Sequence, residues 1–194
     1  MNAKLKWSIV ICMAVVIGII IWLTTRSDDT LKQQILEMQG QHINLNFKHA
    51  RCIFNGTDSL FVNNSKPKLI VYVDSTSCSS CFMGQLINYY EVNDSLNSHN
   101  GELIIVLHPQ ESKIPQLETR LSHERFPFWC IMDVEGEFIK LNHTIPNNPL
   151  LHTFTVDGNN DVVLIGDPTK NEKIQDLFFQ QIQKEGIRLK WENL

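Results

Sequence analysis

Apolar residues along the chain fall into runs whose spacing predicts strands alternating with helices. LIVYVD, from Leu69, is short, β-branched and apolar at consecutive positions, as a strand covered on both faces requires. ELIIVLHP (Glu102 to Pro109) repeats the pattern until Pro109 stops it. Between them, Phe82, Leu86, Tyr89 and Tyr90 mark one face of a helix. Ile114, Leu117 and Leu121 form the stripe of a second helix, with Pro115 in its first turn and an end near His123. FPFWCIMD (Phe126 to Asp133) reads as another buried strand. LHTFTVDGNNDVVLIGDP reads as a hairpin turning at Asp157-Gly158, with a loop that can run through Asn160. Ile174, Leu177, Phe178 and Ile182 then face one side of a terminal helix that Gly186 can close.

The order from Leu69 is therefore strand, helix, strand, helix, extra strand, hairpin, helix, which is an α/β class with a partly parallel sheet. Upstream, Leu31, Ile35 and Met38 are spaced for a helix capped by Ser27 or Asp28 and ended by Gly40. INLNF (Ile43 to Phe47) alternates like a half-buried strand, and FNGTDSLFVNNSKPK is rich in turn residues, a connector or an added hairpin.

The largest departure from this patterning is WSIVICMAVVIGIIIWL, Trp7 to Leu23, seventeen residues with neither charge nor proline. Such a run is long enough to approach a membrane span, and no small-residue cleavage site follows it, so an uncleaved anchor is expected. Lys4 and Lys6 precede the span, and Asp28 and Asp29 follow soon after it. That bias keeps the N-terminus cytoplasmic and puts the rest on the exoplasmic side, the periplasm in a bacterial cell. The expected organisation is an anchor over 1–26, a helix and connector over 27–66, and one domain over 67–194. The net charge of −4 supplies no basic footprint for nucleic acid.

STSCSSCFMGQL, residues 75–86, carries the candidate chemistry. Cys78 and Cys81 follow a strand and open a helix, the end of an α/β sheet at which sites collect. A helix N-terminus favours an anion, so Cys78 is expected to be the accessible thiolate and nucleophile. Cys81, one turn on, can resolve a mixed disulfide and complete a two-electron exchange. Two buried structural thiols are the bland alternative, set against the polar surround of Ser75, Thr76, Ser77, Ser79 and Ser80. Cys52 and Cys130 could bridge in an oxidising compartment if their α-carbons lie within about 7 Å. Cys130, in FWCIM, otherwise reads as a buried hydrophobe.

A CxxC between a first strand and helix, followed by strand, helix, hairpin and helix, resembles the thioredoxin-like fold, a central mixed sheet flanked by helices. FPFWCIMDVEGEFIKLN with HTFTVDGNNDVVLIG is similar to the redoxin or TlpA-like branch, and the likeness runs from about Lys68 to Gly186. It implies that Cys78 is the nucleophile and Cys81 the resolving thiol. The chain departs from the family at several positions: Leu151 stands where the family places a cis-proline, with Pro149 two residues earlier. Ser77 replaces a tryptophan before the first cysteine, and Tyr72 replaces a buried acid, leaving Asp74 as the nearest carboxylate.

The expected activity is thiol–disulfide exchange by a membrane-anchored domain, its redox-active disulfide serving in place of any other cofactor. Its expected partners are exported proteins with cysteines and a membrane electron donor. Two other readings remain open. Cys78, Cys81 and His152 could hold Cu(I), since soft thiolates suit that ion. The domain could also be a tethered interaction module with an inert cysteine pair.

Overall fold

The structure, a computed structural model, describes residue 13 and residues 15–17, 29–77 and 82–192, the stretch 185–192 by backbone alone. Contacts divide the chain into Met1–Glu37 and Met38–Leu194. In the first unit, Met13, residues 15–17 and residues 29–37 are helical. The span Trp7 to Leu23 lies almost wholly outside the described residues, and among those described no helix is long and apolar enough to cross a membrane.

The second unit is built on a seven-stranded sheet. Its strands are β1 (Arg51–Phe54), β2 (Thr57–Asp58), β3 (Lys68–Val73), β4 (Glu102–Leu107), β5 (Trp129–Met132), β6 (Thr153–Val156) and β7 (Val162–Ile165). The spatial order is β2-β1-β5-β4-β3-β6-β7. β3, β4 and β5 are parallel, while β1, β6 and β7 run antiparallel to their neighbours. The helices are α1 (Tyr90–Ser98), α2 (Ile114–His123), α3 (Glu137–Leu141) and α4 (Glu172–Glu192).

Every residue of β3 is buried, as the apolar run from Leu69 to Val73 requires. Alternate residues serve opposite faces. Leu69, Val71 and Val73 join Leu103, Ile105 and Leu107 in a cluster closed by Leu86, Tyr89 and Val92, Leu117 and Leu121, and Phe178 and Ile182. On the other face, Tyr72 packs against Phe138 of α3 with ring centroids 5.3 Å apart. Lys68, fully buried at the start of β3, donates to the carbonyls of Asn64 and Lys66 and to Asn160 Oδ1. Burial lowers its pKa to about 8, and those three acceptors tie the β6–β7 loop to the chain entering β3.

Several elements depart from the sequence pattern. Ile43 and Leu45 are buried in alternation, but Ile43 to Phe47 is no ladder strand. The Asn142 side chain stands in for a neighbour, giving Asn44 N an acceptor at 2.7 Å and donating to Asn44 O at 2.9 Å. The helix expected around Phe82 to Tyr90 is broken: a 3-10 turn spans Leu86–Tyr89, α1 begins at Tyr90, and Tyr90 is 38% exposed. α4 runs through Gly186 instead of ending there, as an interior glycine allows at a cost of about 1 kcal/mol. Among the described residues no peptide bond is cis, and Pro149 opens a 3-10 turn, Pro149–Leu151.

Cys52 and Cys130 sit on adjacent strands without being able to pair. Cys130 lies opposite Ile53 and Cys52 opposite Ile131, so the two thiols leave opposite faces of the sheet. Both are free. Cys130 is 1% exposed in the core, where burial pushes its thiol up to about 12.

Candidate functional site at the carboxyl ends of the parallel strands

Cys78 and Cys81 lie in 78–81, outside the described residues; the chain on either side of them is described. β3 ends at Val73, and Asp74 turns the chain. Its Oδ1 accepts from Thr76 N at 2.9 Å, Thr76 Oγ1 at 2.8 Å, Ser77 N at 2.7 Å and Ser77 Oγ at 2.8 Å. Burial alone would raise the Asp74 pKa, but the hydrogen bonds from Ser77 and Thr76 outweigh it, and with His152 they hold the carboxyl below its ordinary range.

His152, the residue just ahead of β6, reaches this carboxylate from beside β3. Its carbonyl accepts from Tyr72 N at 2.8 Å, extending the β3–β6 ladder by one bond. Its imidazole, 6% exposed, donates from Nε2 to Pro146 O at 2.9 Å and turns Nδ1 toward Asp74 Oδ2 at 3.7 Å. Tyr72 stacks edge-on against the same ring at 5.0 Å, and its hydroxyl lies 3.2 Å from His108 Nδ1. Burial, then Asp74 and Asp133, drive the Tyr72 pKa far up, so this phenol keeps its proton and can share it with His108.

Two clefts meet at Tyr72 and His152. One, of about 530 Å³, is bounded by Asp74, Thr76, His108, Lys140 and these two residues. The other, of about 250 Å³, is bounded by Ser77, Phe82, Gln85, Pro149 and Lys170 as well as Tyr72 and His152. Ser77 precedes Cys78 and Phe82 follows Cys81, so both flanks of the cysteine pair open on the smaller cleft. Tyr72 and His108 are the partners that sequence reasoning left out; the parallel register that sets Tyr72 against Val106 and Val73 against Leu107 brings them together.

Of the three residues of the copper reading, the structure describes His152 alone. Nε2 is committed to Pro146, and Nδ1 faces Asp74. Among the described residues no group of three or more His, Cys, Asp or Glu side chains could hold a metal ion.

No family model and no curated protein matches the chain. Solved structures do. Prx1a of Plasmodium yoelii is 18% identical over 78% of this chain and 94% of its own, with a TM-score of 0.52. Thioredoxin peroxidase I of Plasmodium yoelii is 16% identical over the same shares, with a TM-score of 0.51. An uncharacterized thioredoxin-like protein of Porphyromonas gingivalis is 19% identical over 62% of this chain and 75% of its own, with a TM-score of 0.44. At these identities the likeness is one of fold. The chain has an α/β thioredoxin-like fold, a mixed sheet flanked by helices.

Proposed function

We propose that this protein is a membrane-anchored thiol–disulfide oxidoreductase with Cys78–Cys81 as its redox centre. Cys78 attacks a substrate disulfide, and Cys81 displaces the substrate from the mixed disulfide. The observation that carries the reading is the shared cleft: Ser77 and Phe82, which flank the pair, line one groove with His152 at the carboxyl end of β3.

The apolar run from Trp7 to Leu23 is the proposed anchor, with the N-terminus cytoplasmic and the domain exoplasmic, or periplasmic in a bacterial cell. Exported proteins with cysteines are the proposed substrates, and a membrane electron donor would return the pair to the dithiol. The test is reduction of a protein disulfide by the full chain. Cys78→Ala is expected to fall to the uncatalysed background, and Cys81→Ala to accumulate mixed disulfide. Unchanged exchange in both variants would sink the reading. An inert pair that binds Cu(I) one-to-one would favour the copper-carrying alternative, and one that binds nothing would favour an interaction module.

A further inference from the structure

We propose that the larger of the two clefts binds a primary ammonium group, held by hydrogen bonds to Asp74 Oδ2 and His152 Nδ1. The site stands apart from the redox reading and needs nothing from the cysteine pair. It begins with the proton on His152. Pro146 O can only accept, so the bond at 2.9 Å requires that Nε2 carry the hydrogen. A neutral imidazole then has a lone pair at Nδ1. That lone pair faces Asp74 Oδ2 at 3.7 Å, too far for a hydrogen bond between the two atoms. The four donors from Thr76 and Ser77 all go to Oδ1, so among the described residues neither Oδ2 nor Nδ1 receives a hydrogen bond. His152 is 4% exposed, and an acceptor on so buried a residue gains from any donor that the cleft brings to it.

Geometry selects the kind of donor. A nitrogen about 2.9 Å from each acceptor sees them about 80° apart, so two hydrogens of one tetrahedral nitrogen reach both with little bending. A zinc-like metal fits less well, because two ligands at about 2.05 Å in a tetrahedron lie only ~3.3 Å apart. Among the described residues no third ligand completes such a set. Charge then makes the donor a cation. The bonds from Ser77 and Thr76 keep Asp74 ionised, and Glu135 adds a second carboxylate to the cleft wall. Lys140, on the same wall, opposes them and spends one hydrogen on Glu135 O at 2.5 Å.

The cleft has room for more than the ammonium. Its volume of about 530 Å³ is that of a small-ligand site, and Ile139 and Tyr72 give it an apolar side against which an alkyl chain can lie. A free alkylamine and the lysine side chain of a polypeptide share this chemistry, an ammonium on a flexible chain of methylenes.

The test is a titration of the full chain in non-ionic detergent at about pH 8, where alkylamines are still ammonium ions and an ordinary imidazole is neutral. The His152 ring is followed by proton–nitrogen NMR, its signals assigned by their loss in His152→Gln. n-Butylammonium is expected to move the Nδ1 signal saturably while Nε2 keeps its proton, with a Kd of about 1 mM. Tetramethylammonium has the same charge and no N–H, and should bind ~10-fold more weakly or worse. Asp74→Asn keeps an acceptor for Thr76 and Ser77 but places an amide NH2 beside Nδ1, and should weaken n-butylammonium by about 10-fold or more. Lys140→Met removes a like charge from the wall and should tighten binding about 2-fold. An acetylated and amidated lysyl tripeptide that binds more tightly than n-butylammonium would assign the site to a polypeptide side chain; the reverse order would assign it to a free amine. No saturable shift with either probe up to about 100 mM, equal binding of tetramethylammonium, or undiminished binding in Asp74→Asn would overturn the inference. Because binding is read without disulfide exchange, a chain that binds n-butylammonium and fails to exchange would sink the redox reading alone.

Discussion

Asp74 and Asp133 stand directly past the ends of two parallel strands of one sheet, β3 and β5, and their carboxylates are used differently. Asp133 is 1% exposed and gives one oxygen to each of two backbone donors, Glu137 N and Phe138 N, both at 2.8 Å. It is consumed in starting α3. Asp74 gathers its donors on one oxygen, from Thr76 and Ser77, and leaves the other facing His152 in a cleft wall. Burial of both oxygens makes an aspartate part of the scaffold. An oxygen kept at a cleft leaves it able to act on what enters.

Replacing each aspartate by alanine tests that distinction most severely. Asp133→Ala strands two N–H groups, one of them fully buried, and an unpaired buried donor costs about 1–3 kcal/mol. A loss of about 3 kcal/mol in urea unfolding is expected, against about 1 kcal/mol for Asp74→Ala, whose donors are nearer water. Equal losses would erase the difference between the two positions.

Gly136, between Asp133 and α3, sharpens the comparison from the β5 side. It has φ +64, and a β-carbon there would lie 2.9 Å from His108 Cε1. Gly136→Ala combines backbone strain with pressure on that ring, and a loss of about 1–2 kcal/mol is expected. The same variant should perturb the His108 ring signals in NMR; an unperturbed ring with full stability would show that the loop after β5 yields easily.

How much of this was legible depends on how far apart the interacting residues lie in sequence. β3 and β4 were readable because strands covered on both faces are continuous apolar runs, and the β6–β7 hairpin because Asp157-Gly158 interrupts alternating residues. The β1–β2 hairpin was legible only as one of two readings, a connector or an added hairpin, since its strands have four and two residues and Arg51 and Cys52 blur the pattern. Its signal lay in Asn55-Gly56, both at positive φ, 52° and 78°, as a tight two-residue turn demands. α3, five residues long, is too short to show a period. At the site, Asp74 was visible as the nearest carboxylate, but its approach to His152 depends on the antiparallel β3–β6 register, and Tyr72–His108 on the parallel β3–β4 register. Pairing between strands far apart in sequence leaves no local periodic trace.

The smallest expected effect probes Asp74 through one of its donors. Ser77→Ala removes a 2.8 Å hydroxyl bond and leaves the Ser77 N–H in place, a loss of about 0.5–1 kcal/mol at neutral pH. Because that bond helps hold the folded-state pKa of Asp74 below its unfolded value, its contribution is fully present above the unfolded value, near pH 4, and is lost as pH falls through the lower folded value. The stability gap between the parent chain and Ser77→Ala should therefore narrow on acidification below about pH 4, whereas a gap caused only by lost packing would stay constant. Urea midpoints measured for both proteins down the acid series decide it. A constant gap would mean that the Ser77 hydroxyl does not act through the charge on Asp74, and the loop after β3 would then resemble the loop after β5 in using its aspartate as scaffold.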